Sequence, residues 1–260
     1  MSERLLVTLE NGVKRIVFNH PARRNSVDFE TIGRFTEAIQ QSAEDDTRVV
    51  VITGSGDSFC AGADLQALGD GDLENYDVTK SLRDRINPGI LAMRGLPKPI
   101  IARVHGHAAG VGCNYALAAD IIIASDEAFF GQVFVKIALM PDGGGTYFLP
   151  HLVGYNKAFE LMALGDSISA QEALDLGMVN RVVPIGDLDK TVSILTDRLV
   201  KAPAIAVAKI KAALNQSFHA DLATMLEFEA VNQGDCFRSS DFKEGVAAFL
   251  QKRKAVFTGK

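Results

Sequence analysis

Three short apolar runs, at 48–53, 100–104 and 121–124, alternate with segments of helical or small-residue spacing. That alternation constrains the fold more than anything else in the 260-residue chain. A strand that is apolar along its whole length has both faces buried, which is the habit of parallel sheets covered by helices. The expected class is α/β. Ahead of these runs, 5–9 and 13–18 are β-rich and are separated by Asn11-Gly12, which predicts an N-terminal hairpin. Phe29, Ile32, Phe35 and Ile39 recur at helical spacing before the first run.

Further along, Ser169-Ala-Gln-Glu172 has the form of a capping box, and Gly177 stands where a helix would end. These signals predict a short helix over 170–176 and then a strand over 179–183. From 187 onward β signals vanish. Pro203 near a helix start, and Phe242, Val246, Phe249 and Leu250 on one face, predict a helical tail. The organisation expected is a core over 1–200 and a helical C-terminal region over 201–260. The stretch 68–84 is acidic and weakly periodic, and a mobile loop is expected there.

Composition narrows the function classes. A net charge of −5 argues against non-specific nucleic-acid binding, although a local basic pocket for a phosphorylated ligand is compatible with it. Cys60, Cys113 and Cys236 are odd in number and lack metal-like spacing, so neither a disulfide framework nor a zinc site is indicated. The N-terminus has no apolar signal core, and no run approaches the roughly 20 apolar residues of a membrane span. A cytoplasmic protein in a reducing compartment is expected.

The run at 49–53 leads into Gly54-Ser-Gly56, which invites comparison with a dinucleotide-binding turn. Phe59 stands where that fingerprint needs its third glycine, and no amphipathic helix comes after it. The chain continues instead with Ser58-Phe-Cys-Ala-Gly-Ala-Asp-Leu65 and, later, Pro97-Lys-Pro-Ile-Ile-Ala-Arg-Val-His-Gly106. Beyond them come Gly106-His-Ala-Ala-Gly-Val-Gly-Cys113, Asp120-Ile-Ile-Ile-Ala-Ser125, Phe130-Gly-Gln132 and Met140-Pro-Asp-Gly-Gly-Gly-Thr146. Together with 169–179, and in this order, these segments resemble the crotonase (enoyl-CoA hydratase/isomerase) family. The resemblance covers residues 10–190 and, less specifically, the tail.

It implies a crotonase-type spiral of ββα units with a C-terminal helical region that packs on neighbouring subunits, in a homotrimer or dimer of trimers. It also implies an acyl-CoA thioester as substrate, with coenzyme A carried by the substrate and no separate cofactor. The residues themselves suit that chemistry. A thioester enolate bears negative charge on oxygen, and preorganised backbone N–H groups in a dry site stabilise such charge. Small residues at Ala61, Gly62 and Ala63, and at 109–112, let the backbone come close to a ligand.

By resemblance, the two donors are the N–H groups of Ala63 and Val111, with valine where the family usually has glycine. The hydratases carry two glutamates, and the matching positions here are Asn114 and Phe134. An amide has no useful pKa and a phenyl ring exchanges no proton. Asp142 matches the acidic base of several double-bond isomerases of the family, including those of phenylacetyl-CoA breakdown. Local sequence alone reads Asp142 as a turn residue or helix cap, in which case the base would be sought among Asp70, Asp72 and Glu74.

One base suffices for a 1,3-proton shift, so isomerisation of an unsaturated or ring-epoxide acyl-CoA is the leading expectation. Hydration is second, and a non-catalytic acyl-CoA- or RNA-binding relative is third. The resemblance further assigns Arg23 and Arg24 to the nucleotide end and Lys254, in the last helix, to the 3′-phosphate. It assigns Ala61, Asp64, Leu65, Asn114 and Phe134 to the substrate's surroundings. Phe134, Val111 and Met140 are expected to make the pocket around Asp142 apolar. His105, His107, His151 and His219 show no pattern beyond structural roles.

Overall fold

The structure is a computed structural model that describes residues 3–66 and 75–260. β1 (Leu5–Glu10) and β2 (Val13–Phe18) form the expected hairpin, whose turn residues Asn11 and Gly12 both have positive φ, 52° and 78°. Such a turn matches the twist of the strands it joins. α1 (Phe29–Gln41) is capped by Asp28, whose side chain accepts a hydrogen bond from the Thr31 N–H at 2.9 Å. β3 (Val49–Gly54) is buried at every residue.

The next helical segment departs from expectation. Residues 78–84 are helical: α2 (Val78–Ser81) continues through a π-helical turn, Leu82–Ile86, into α3 (Asn87–Gly95). Asp77 caps the start by accepting from the Lys80 N–H at 2.8 Å, and Lys80 pairs with Asp84 one turn on. Charges on the exposed face dilute an apolar period that Ser81 and Ile86, both buried, carry inward. The expected loop's residues 68–74 lie outside the described residues, and Asp70, Asp72 and Glu74 with them.

β4 (Ile100–Val104), β5 (His107–Ala109) and α4 (Val111–Leu117) come next. After them stand β6 (Ile121–Ser125), β7 (Phe129–Gly131), α5 (Gly145–Val153) and α6 (Tyr155–Leu164). β8 (Ser167–Ser169), α7 (Ala170–Asp175) and β9 (Arg181–Val183) complete the core. α7 has the capping box read from Ser169 and Glu172.

Among the described residues two sheets result, a large one in the order β1-β2-β3-β4-β6-β9 and a small one in the order β5-β7-β8. Every pairing in the large sheet beyond the hairpin is parallel. The chain alternates between the sheets, laying β4 and then β5, β6 and then β7, with helices between. After β3 the same step survives as a single parallel bridge, Cys60 to Ala108. A strand in each sheet and then a helix, repeated, is a spiral of ββα turns.

Alternate residues of β3 and β4 face opposite cores, as a strand's period of two requires. Val50, Ile52, Ile100 and Ala102 enter the main core, while Val49, Val51 and Ile101 meet Leu188, Val192 and Leu195 of α8 (Leu188–Val200). The tail is α9 (Ala204–Ser217), α10 (Leu222–Arg238) and α11 (Ser240–Leu250). Buried Lys211 of α9 docks it, donating to Asp120 at 2.8 Å and to the Met93 carbonyl at 2.9 Å. Among the described residues, no helix is long and apolar enough to cross a membrane.

Candidate active site

The small sheet brings two backbone segments together. Cys60 N–H donates to the His107 carbonyl at 3.0 Å, and Ala109 N–H donates back to the Cys60 carbonyl at 2.9 Å. These bonds hold 60–63 alongside 107–111. Gly62, at φ +98°, sits so close that a Cβ there would lie 2.9 Å from the Ala109 carbonyl oxygen. A Cβ on Gly112 would be 2.4 Å from the Cys60 carbonyl oxygen. Neither position has room for a side chain.

The loops so pinned carry two unspent donors. Val111 is the first residue of α4, where the helix itself offers no acceptor. The Ala63 N–H has no hydrogen-bond partner among the described residues, and Ala63 is exposed. Phe134 is nearly buried, and its ring edge is 3.8 Å from where a Gly110 Cβ would stand. Gly143 reaches the same place from the other direction: a Cβ there would be 3.0 Å from Val111 Cγ2 and 3.6 Å from Asn114 Cβ. The Asp142 turn therefore lies directly against the start of α4.

Asp142 caps nothing. The residue at the cap of α5 is Gly144, with no side-chain hydrogen bond, and the buried Asp142 Oδ1 has no partner among the described residues. Burial without a cation or donor pushes its carboxyl from 3.8 up to about 6. The local reading of this residue as a helix cap is thereby corrected. Its backbone is held instead, the carbonyl accepting from Gly145 N–H at 3.0 Å and from Asn114 Nδ2 at 2.7 Å. Asn114, fully buried, in turn accepts from Gln132 Nε2 at 2.7 Å through Oδ1.

Small residues and free backbone N–H groups thus stand beside a desolvated carboxyl. The family profile described as Enoyl-CoA hydratase/isomerase matches residues 8–260. The chain belongs to the enoyl-CoA hydratase/isomerase family. Its relatives in this family include a 1,2-epoxyphenylacetyl-CoA isomerase of Escherichia coli (strain K12), 39% identical over 100% of both chains. A crotonyl-CoA hydratase of Syntrophomonas wolfei is 35% identical over 99% of both. The solved enoyl-CoA hydratase of Bacillus anthracis superposes with a TM-score of 0.94 at 32% identity, over 99% of this chain and 100% of that one. The spiral core and helical C-terminal region are thus those of the crotonase fold.

Within this family frame, several expected site residues occupy particular places. Arg24 is exposed, and its carbonyl accepts from the Ala61 N–H at 2.9 Å, so it stands at the entrance to the 61–63 segment. Arg23, also exposed, lies 3.7 Å from Asp64. Asp64 is buried in an ion-pair cluster with Arg4 at 3.4 Å, while Leu65 is half exposed. Asn114 spends both polar ends of its amide on protein partners. Met140 is 72% exposed and does not wall the carboxyl off within one chain. Lys254 is not helical but lies beyond the end of α11, where its carbonyl accepts from Arg253 at 3.2 Å.

Cys60 and Cys113 are fully buried, with burial pushing both thiols up to about 12, so neither is a nucleophile at neutral pH. No group of three or more metal-ligating side chains occurs among the described residues. Sequence reading missed Gln132 as a site residue. Its motif was visible, but nothing in a sequence tells which way an amide points.

Proposed function

We propose that the protein isomerises an unsaturated acyl-CoA by a 1,3-proton shift with Asp142 as the single acid–base group. The unpartnered, desolvated carboxyl of Asp142 against the start of α4 is the observation that carries this reading. The carboxylate takes a proton from C2, the N–H groups of Ala63 and Val111 hold the charge on the thioester oxygen, and the acid so formed returns the proton at C4. A base with a raised pKa takes an unactivated proton more readily. Hydration needs a second group to activate water. Asn114, an amide with no proton to exchange and engaged at both ends by Gln132 and the Asp142 carbonyl, and Phe134, a hydrocarbon, supply none.

Coenzyme A enters as part of the substrate, with Arg23, Arg24 and Lys254 near its phosphates and no separate cofactor. The named activity of the Escherichia coli relative supports an aryl or ring-epoxide acyl group alongside linear 3-enoyl chains. Residues 201–260 are assigned to subunit contact in a trimer or dimer of trimers. Supporting this are a 950 Å³ groove bearing Ile210, Phe242 and Val246, and Phe249 at 83% exposure. A cytoplasmic location completes the reading. The test is a panel of acyl-CoA thioesters assayed side by side. Isomerisation of a 3-enoyl or ring-epoxide substrate with hydration far below the median enzyme turnover of about 10 per second supports the assignment. Hydration at that rate removes it.

A further inference from the structure

Nothing in the proton shift requires Asn114 and Gln132, yet both are buried polar side chains wired to the base. We propose that Asn114 is a positioning residue whose amide, oriented by Gln132, sets the distance between the Asp142 carboxyl and the oxyanion donor at Val111. The proposal rests on the isomerase reading above. Asn114 stands three residues after Val111 on the same helical turn, and its own N–H donates to the Gly110 carbonyl at 3.2 Å. Its side chain therefore moves with the oxyanion donor. Its Nδ2 donates to the Asp142 carbonyl at 2.7 Å, so the backbone of the base moves with it too.

The direction of the amide is dictated from one end. A carbonyl can only accept, so Asn114 must turn its NH2 to Asp142 and its oxygen away. That oxygen requires a donor, and Gln132 Nε2 provides it at 2.7 Å. Gln132 Oε1 is left buried with no partner among the described residues.

The circuit also closes. Gly131, next to Gln132, accepts from the Gly110 N–H at 2.9 Å, which returns the chain of bonds to the start of α4. There is no slack in it: a Cβ on Gly145 would lie 2.8 Å from Asn114 Nδ2 and 3.0 Å from Gln132 Oε1. Position 114 is constrained as a result. A carboxylate there would face the Asp142 carbonyl with acceptors only and would place a like charge beside the base. An acid at 114 therefore impairs the base at 142.

The test uses Asn114→Asp, Gln132→Leu and Asp142→Asn in the full-length protein. Turnover and KM for 3-enoyl-CoA isomerisation are read from pH 5 to 9, and the Asp142 carboxyl is titrated by carbon-13 NMR without substrate. Misplacement of a reacting group by about 1 Å costs about 100-fold. Asn114→Asp is therefore expected to lower kcat by about 10- to 100-fold with little change in KM, and the like charge moves the Asp142 titration upward by about one pH unit. Gln132→Leu lowers kcat in the same way without that upward move, and it carries the test should Asn114→Asp fail to fold.

Unchanged kcat in Asn114→Asp and Gln132→Leu, or an unmoved Asp142 titration in Asn114→Asp, overturns the relay while leaving the isomerase reading intact. Lower thermal stability with kcat and titration unchanged does the same, since that is the mark of a structural role alone. Near-normal isomerisation by Asp142→Asn removes Asp142 as the base, and the relay with it, while fast hydration in the acyl-CoA panel is what removes the isomerase reading.

Discussion

Replacing Asp142 by Asn keeps the shape of the side chain and removes both its charge and its basicity. The structure predicts opposite effects on activity and stability. Losing a general base lowers turnover by about 100-fold to 10,000-fold. The stability effect arises from the carboxyl's position, buried and unpaired, with its pKa pushed from 3.8 up to about 6. A carboxyl harder to ionise in the native state than in the unfolded chain favours folding when protonated and opposes it when charged. Wild-type stability from this group is thus fullest below about pH 4 and is lost as pH rises through about 6.

At about 1.4 kcal/mol per tenfold change, moving from 3.8 to about 6 corresponds to about 3 kcal/mol. Asn carries no charge to desolvate, so at pH 8 Asp142→Asn is more stable than the wild type by up to about 3 kcal/mol. The gain disappears near pH 4. Denaturant unfolding of both proteins from pH 4 to 8, with isomerisation measured on the same preparations, checks this. An Asp142→Asn protein that is less stable at pH 8 and retains turnover would make Asp142 a turn or cap residue and not the base.

Coenzyme A at 100 times its dissociation constant stabilises the native state by about 2.7 kcal/mol, which raises the melting temperature by roughly 5 to 10 °C; thermal scanning with and without it reads the shift. Gly112→Ala places a Cβ 2.4 Å from the Cys60 carbonyl oxygen, so urea denaturation reports a loss of about 1 to 3 kcal/mol. Lys211→Met leaves Asp120 with Arg94 and the Ile100 N–H but takes away its shorter ion pair. Breaking a buried pair costs about 3 kcal/mol or more, and limited proteolysis then cuts ahead of α9.

Much of this was legible in the sequence because it is carried by long or strongly marked elements. The hairpin announces itself through Asn11-Gly12, β3, β4 and β6 through unbroken apolar runs, and α7 through its capping box. β5, β7 and β8 are three residues each, too short for any period to register, so the small sheet that clamps 60–63 to 107–111 was hidden. The helix at 78–86 was masked by Lys80, Arg83, Asp84 and Arg85. At the site, the absence of both glutamates and the presence of Asp142 could be read directly. That Asp142 caps nothing, and that Asn114 faces its backbone, depends on side-chain direction, which only packing decides.

The pH dependence of kcat/KM for isomerisation reports the acid–base group of the free enzyme and so decides whether Asp142 is the base. With Asp142 desolvated and pushed up to about 6, the rate constant falls about tenfold per pH unit below that value and is flat above it, and Asp142→Asn abolishes the limb. A profile that stays level down to about pH 4.5, or one whose acid limb survives in Asp142→Asn, would contradict it.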